Sequence, residues 1–319
     1  MKKIPDKPNV ICLMGPTASG KTALAVELVK RGGFQIVSVD SAQIYVGMDI
    51  GTGKPSADIL ALAPHRLISF KDPSEAYSAA DFCSDAKIEI ASIIKQGDIP
   101  LLVGGTMLYL KALRDGMAKL PSADPATRAA IEELARREGW QAVHQELAAV
   151  DPQAAQRIHP NDPQRLQRAL EVYRISGKTL SQFHFDEKNQ IDNDNELPFN
   201  LHYFAIQPPD RRVLHSTIEH RFREMLRLGL VDEVDVLYRR GDLKIEMPSM
   251  KSVGYRQVWQ HIAGELDYDG MLERGIIATR QLAKRQLTWL RSWDNLHSLA
   301  EPSAKSVDSV LNFVDSIAI

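Results

Sequence analysis

Short, almost continuous apolar runs alternate with stretches of helical spacing along the first third of the chain. Residues 10–14 (VICLM) predict a buried strand that leads into Gly15-Pro16-Thr17-Ala18-Ser19-Gly20-Lys21-Thr22. Ala23 to Lys30 then has helical spacing, and Gly32-Gly33 is its stop signal. Residues 34–39 (FQIVSV) predict a second strand, ending at Asp40. A helix over 81–95 is followed by Gly97, and residues 99–103 (IPLLV) predict a third strand ending in Gly104-Gly105-Thr106. Apolar strands alternating with helices predict an α/β fold, its parallel sheet covered on both faces.

The texture changes near Gly116. Residues 121–182 hold no convincing β run and predict helices over 125–137, 140–149 and 162–176, punctuated by Pro121, Pro125, Pro152, Pro160 and Pro163. Residues 186–198 (DEKNQIDNDNELP) read as a polar, acidic linker. Leu201 to Ile206 is a strand again. Helices follow over about 211–228 and 231–240, broken by Gly229 and Gly241, and a long final helix spans roughly 270–291. The expected organisation is a P-loop-type parallel sheet core, residues 1–115 and 199–319, interrupted by a helical insertion over 116–198.

Composition narrows the class. The chain has 319 residues, 44% hydrophobic and 25% charged, as soluble globular proteins do. With Lys and Arg at 39 and Asp and Glu at 41, the formal charge is −2, so a strongly basic protein is excluded, though a local basic face is not. Two cysteines, Cys12 and Cys83, exclude a disulfide framework and read as reduced, buried thiols. No window approaches the ~20 apolar residues of a membrane span, and the apolar run at 10–14 is too short for a signal peptide. A cytoplasmic protein is expected. No heptad or long apolar edge suggests assembly, so a monomer is expected too.

The sharpest local signal is GPTASGKT at 15–22, a full match to G-x-x-x-x-G-K-[ST] between a strand and a helix. Glycines let the backbone turn its N–H groups onto phosphate oxygens, and the helix beginning near Lys21 aims its positive dipole end at the same place. Lys21 supplies a mobile charge, and the Thr22 hydroxyl can ligate Mg²⁺. Such a loop implies a bound diphosphate or polyphosphate, not hydrolysis. NTPases of this class usually carry a metal-binding acid after a second strand. Here strand 99–103 ends in Gly-Gly-Thr, and the acid, Asp40, ends strand 34–39. Ligands of open parallel sheets sit at the strands' carboxyl ends. Asp40 should thus face the phosphate loop from a neighbouring strand, to ligate metal, accept a proton, or merely cap a turn. Gly47, Gly51 and Gly53 suggest a flexible, exposed loop able to cover a site.

Several segments are basic and almost free of acids. Residues 278–291 (ATRQLAKRQLTWLR) place Arg280, Lys284 and Arg291 at helical spacings of four and seven, with Gln281 and Arg285 beside them. Lys251-Ser252-Val253-Gly254-Tyr255-Arg256 and Gln164-Arg165-Leu166-Gln167-Arg168 mix cations with amides and an aromatic. Such mixtures suit RNA phosphates and unstacked bases, and equally a solvated helix face.

GPTASGKT at 15–22, DSAQIYVGMDIGTGKPS at 40–56 and GGTMLYLKAL at 104–113 together resemble the tRNA dimethylallyltransferases, which prenylate the adenosine 3′ of the anticodon, position 37. RIHPNDPQRLQRALEVYRISGKTL at 157–180, SVGYRQ at 252–257 and the basic segment at 278–291 extend the likeness over nearly the whole chain, in the compact bacterial form. The resemblance implies dimethylallyl diphosphate as donor, Mg²⁺ as cofactor and the anticodon stem-loop of tRNA as partner. It implies that the loop Gly15–Thr22 holds the diphosphate, with Thr17 and Lys21 as ligands and Thr22 on the metal side. It makes Asp40 the acceptor of the adenosine N6 proton and Arg221, within HRFREML, a clamp on the diphosphate. It assigns tRNA contacts to Asp40, Ser41, Ala42, Gln43, Thr106, residues 164–168 and 251–256, Arg280, Gln281, Lys284 and Arg285. Two other classes remain open: a P-loop small-molecule or nucleotide kinase with residues 116–198 as a lid, and a non-catalytic RNA-binding module.

Overall fold

The computed structural model describes residues 7–118, 120–190 and 197–317, the side chains of 187–190 excepted. The chain forms two compact units, Met1–Arg114 with Pro198–Ile319, and Asp115–Leu197.

The first unit is built on a six-stranded, all-parallel sheet. Its strands are β1 (Asn9–Met14), β2 (Phe34–Val39), β3 (His65–Arg66), β4 (Ile99–Gly104), β5 (Asn200–Ile206) and β6 (Leu296–Leu299), in the order β3-β2-β4-β1-β5-β6. The predicted core strands are therefore β1, β2, β4 and β5. One placement differs: β4 lies between β1 and β2, so Asp40 and the phosphate loop stand two strands apart. Helices α1 (Lys21–Arg31), α2 (Ala57–Leu62), α3 (Ala79–Lys95) and α4 (Met107–Asp115) follow the first strands. A reciprocal capping box between Ser78 and Asp81 starts α3, satisfying two backbone donors that would otherwise be orphaned.

Two of this unit's apolar cores bear on the site. In one, Leu24, Ala25 and Leu28 of α1 pack on Ile11, Leu13, Ile36 and Leu101 of the sheet. Val307 and Val310 from α14 (Ala304–Ile317) close the same core. The helix over 268–291 is thus not the last element. Strand β6 escapes sequence reading because it has four residues at the sheet edge and only Leu299 among them is buried, which leaves little pattern.

The second core gathers Ile44, Tyr45 and Met48 against helices α10 (Arg211–Arg227), α11 (Leu230–Arg239), α12 (Tyr255–Ile262) and α13 (Tyr268–Arg291), with Phe222, Leu230, Tyr255 and Met271 among its members. The segment around Gly47 is therefore anchored, not the free exposed loop its glycines suggest: Tyr45 and Met48 are fully buried within it. Of the cysteines, Cys12 is buried and Cys83 only half-buried.

The second unit contains α5 (Pro125–Glu138), α6 (Trp140–Val150), α7 (Pro152–Arg157), α8 (Pro163–Ser176) and α9 (Leu180–Gln190) around Ile131, Val143, Leu147, Leu166 and Leu170. Three of its prolines start helices rather than merely interrupting them. Asp124, Asp151 and Asp162 each cap a helix whose first residue is the following proline, accepting from the N–H of Thr127, Ala154 and Arg165. Proline loses nothing there, since the N–H it lacks would have no helical partner. Of the expected linker, residues 186–190 belong to α9, and 191–196 lie outside the described residues.

Candidate active site at the carboxyl edge of the sheet

Strand β1 ends and the chain turns through Gly15–Gly20 before α1 begins. Gly20 takes a left-handed conformation as N-cap and offers no side chain to the helix N–H groups, which stay free for an anion. Ala18 holds φ +62°, a strained value for a residue with a Cβ. The Lys21 ammonium reaches back into the loop and donates to the carbonyls of Gly15 and Pro16 at 2.9 and 2.7 Å. Burial lowers it to about 8, against support from Asp40 and in concert with the like charge of Arg221. An anion in the loop would meet a cation already partly desolvated.

A cavity of about 700 Å³ opens over this loop. Thr17, Lys21, Thr22, Asp40, Gln43, Gly53, Arg221 and Gln286 are among its lining residues. Asp40 Oδ1 accepts from the N–H of Ala42 at 2.9 Å and of Gln43 at 3.3 Å. Burial nonetheless raises its pKa above that of an ordinary carboxylate; the two N–H groups, Lys21 and Arg221 oppose the rise without reversing it. Such a carboxylate is a stronger proton acceptor than an exposed one while remaining held in place. Asp40 thus does cap a turn, and also faces the cavity. Arg221 arrives from α10, its guanidinium against Gly53, where any Cβ would collide with it. Desolvation lowers its pKa from the ordinary arginine value, and the Asp40 charge opposes that without reversing it.

Two residues outside the expected set organise this edge. Glu233 on α11 accepts from the N–H of Asp49, Ile50 and Gly51 at 2.9, 2.7 and 3.1 Å and from the Tyr255 hydroxyl. It thereby fixes the turn that carries Gly53 to Arg221. Gln286 on α13 accepts from the Thr17 N–H and donates to the Gly105 carbonyl. Nothing local marks either one: Glu233 looks like an ordinary acidic residue in a helix's first turn, and Gln286 like one more polar residue in a basic run.

The expected RNA-facing residues divide. Thr106 and Ser41 meet beside Asp40, Thr106 Oγ1 accepting from the Ser41 N–H at 3.1 Å. Gln43 reaches the carbonyls of Thr52 and Gly53, and Ala42, Ser252 and Val253 also line the cavity. Lys251, Arg256, Gln281, Lys284 and Arg285 are exposed on the first unit. Tyr255 is fully buried with its hydroxyl on Glu233, and Gly254 is buried too, so neither presents a side chain to a partner. Arg280 is engaged by Glu219 at 2.9 Å. In the second unit Gln164 and Arg165 are exposed, Leu166 is fully buried in the core, Gln167 donates to Glu132, and Arg168 donates to Glu171 and the Pro121 carbonyl. Burial explains the two departures: Tyr255 and Leu166 lie on the inward stripes of their helices, which composition alone does not orient.

Comparison with known proteins fits this geometry. A sequence model described as IPP transferase matches residues 43–293. A full-length tRNA isopentenylpyrophosphate transferase of Bacillus halodurans has a similar structure at 34% identity and TM-score 0.70, over 97% of this chain and 96% of that one. A tRNA Δ(2)-isopentenylpyrophosphate transferase of Staphylococcus epidermidis matches at 31% identity and TM-score 0.67, covering 97% of this chain and all of that one. A eukaryotic dimethylallyltransferase acting on tRNA matches at 25% identity and TM-score 0.74, over 94% of this chain and 75% of that one. With a phosphate loop, an acid and an arginine meeting at one sheet edge, and with these matches spanning nearly its full length, the chain belongs to the IPP transferase family.

Proposed function

We propose that this protein transfers the dimethylallyl group of dimethylallyl diphosphate to N6 of adenosine 37 in tRNA and releases diphosphate. The observation that carries the reading is the convergence of Lys21, Asp40 and Arg221 on one cavity beside the phosphate loop. The loop N–H groups, Lys21 and Arg221 bind the donor's diphosphate. The N6 lone pair forms a bond to C1 of the prenyl group as the C1–O bond breaks, and the bonding pair leaves with the diphosphate. Cations already desolvated and oriented stabilise the charge that builds there. Asp40 accepts the N6 proton once the nitrogen has become partly cationic. The target base must leave the anticodon-loop stack to reach a cavity at the sheet edge.

Among the described residues no three His, Cys, Asp or Glu side chains gather into a metal cage. A lone Thr22 hydroxyl beside a phosphate loop is nevertheless the donor set that Mg²⁺ uses when phosphate oxygens and waters complete its octahedron. Mg²⁺, when bound, supplies further positive charge to the leaving diphosphate. The tRNA contacts in this reading include exposed Lys251, Arg256, Lys284 and Arg285 on the first unit and, separately, exposed Arg165 on the helical unit. A tRNA-modifying role belongs in the cytoplasm. In this reading the protein acts as a monomer.

The test is incorporation of labelled dimethylallyl diphosphate into undermodified tRNA. The wild-type protein should label the RNA, and Asp40→Asn should bind both substrates yet transfer about 100-fold more slowly, the scale of losing a positioned base. Recovery of Asp40→Asn by excess Mg²⁺ would make Asp40 a metal ligand instead. Phosphoryl transfer from ATP without any prenylation of RNA would replace this reading with a kinase.

A further inference from the structure

Gln286 lies within the basic segment of α13, but its side chain points inward. It is 8% exposed, one of few polar side chains among the described residues to be so enclosed. Its amide is used at both ends. Oε1 accepts from the Thr17 N–H at 2.8 Å, inside the phosphate loop, and Nε2 donates to the Gly105 carbonyl at 3.0 Å, just beyond β4. Gly105 precedes Thr106, whose hydroxyl accepts from the Ser41 N–H, and Ser41 follows Asp40. A Cβ on Gly105 would strike the Gln286 amide, so the close approach has been left open from both sides. One neutral amide thus joins the loop of Lys21 to the turn of Asp40, across the strand that separates β1 from β2.

We propose that Gln286 is a positioning residue that sets the diphosphate loop and the Asp40 turn in register for transfer. The proposal rests on the prenyl-transfer reading and adds to it a residue that need touch neither substrate. The physical requirement is simultaneous donation and acceptance. A carboxylate would set an acceptor against the Gly105 carbonyl, and an ammonium would set a donor against the Thr17 N–H; an amide meets both. With Thr17 N–H committed to Gln286, the loop loses one donor for phosphate and gains a fixed conformation. Reactions between two bound partners are sensitive to misplacement on the scale of an ångström, so loss of this link should act on the transfer step.

Gln286→Met keeps length and approximate volume but removes both hydrogen bonds. Gly105→Ala pushes the amide away from the other side without changing the sequence of α13. Each should lower the single-turnover transfer rate at saturating tRNA and dimethylallyl diphosphate by about tenfold or more, with tRNA affinity kept within about twofold. The double variant should be little slower than either single one, because both changes break the same link. A purely structural role would lower the melting temperature and leave the rate per folded molecule unchanged. Wild-type single-turnover rates in both variants, or fully additive effects in the double variant, would overturn the proposal. Should the wild-type protein itself fail to label tRNA, the prenyl-transfer reading fails first, and that outcome is distinct from active wild type with unaffected variants.

Discussion

Lys21 shows how a single residue is tuned by what surrounds it. Its ammonium is held at about 8 instead of the ordinary 10.5 because burial disfavours charge. Between those values the unfolded chain binds a proton that the folded chain has released, so through this group folding is favoured as pH rises across that window and the penalty is complete below it. The same deprotonation removes the cation that grips phosphate. Pyrophosphate affinity of the free protein should therefore weaken as pH rises from about 7 to about 9.5, gradually, since a bound anion pulls the ammonium back toward its charged form. Lys21→Arg stays charged throughout and should give a flat profile. Titration calorimetry across the range distinguishes them, and a wild-type profile as flat as that of the arginine variant would take the Lys21 titration out of donor binding. Asp40 shifts in the opposite sense, its carboxyl raised by burial, so transfer should fail in acid at a higher pH than an exposed aspartate would give.

At the scale of elements, the turn over residues 48–53 is a part of the machinery made from backbone. Glu233 collects three of its N–H groups, and Gly53, at φ +62°, packs on the Arg221 guanidinium. Gly47, at φ +73°, has the same left-handed backbone but open space around it. Replacing either with alanine should cost about 1 kcal/mol of backbone strain. Only Gly53→Ala should also displace Arg221, with weaker pyrophosphate binding and at least about tenfold slower transfer, the scale expected when a preorganised charge is moved. Equal kinetics for Gly47→Ala and Gly53→Ala, measured alongside their melting temperatures, would show that Gly53 serves the fold alone.

On the scale of the whole molecule, each unit has its own core, and the helical unit is held partly by charge. Glu171 is fully buried, accepts from Arg128 and Arg168, and also takes the Asp124 N–H at the start of α5. Both guanidinium groups reach solvent, which softens the loss when their partner is removed. Glu171→Ala should destabilise this unit by on the order of 3 kcal/mol, the lower end for breaking a buried pair. Hydrogen exchange should speed up within 115–197, while pyrophosphate binding, whose residues all lie in the other unit, should hold. Loss of pyrophosphate binding in that variant would contradict the separation. Arg168, read from sequence as a phosphate contact, belongs to this buried network; exposed Arg165 remains available to RNA.

Much of the sheet and its phosphate loop was legible along the chain, because local interactions determine them. The apolar runs of β1, β2, β4 and β5 bury both faces, and GPTASGKT specifies a backbone shape from a few adjacent residues. Asp40 and Lys21 stood out for the same reason: Asp40 directly follows β2 and Lys21 opens α1, so each sits at the end of an element that the pattern already defines. Strand order was not legible, since parallel neighbours are joined by crossovers that place β4 between β1 and β2 without any local mark. Nor could sequence tell Tyr255 from an RNA-stacking aromatic, or Gln286 from its basic neighbours. Their roles depend on Glu233, Thr17 and Gly105, residues 22, 269 and 181 positions away. A hydrogen bond over that separation exists only once packing has brought its partners together, so local pattern gave the strands and the loop, and tertiary structure alone decided what turns them into a site.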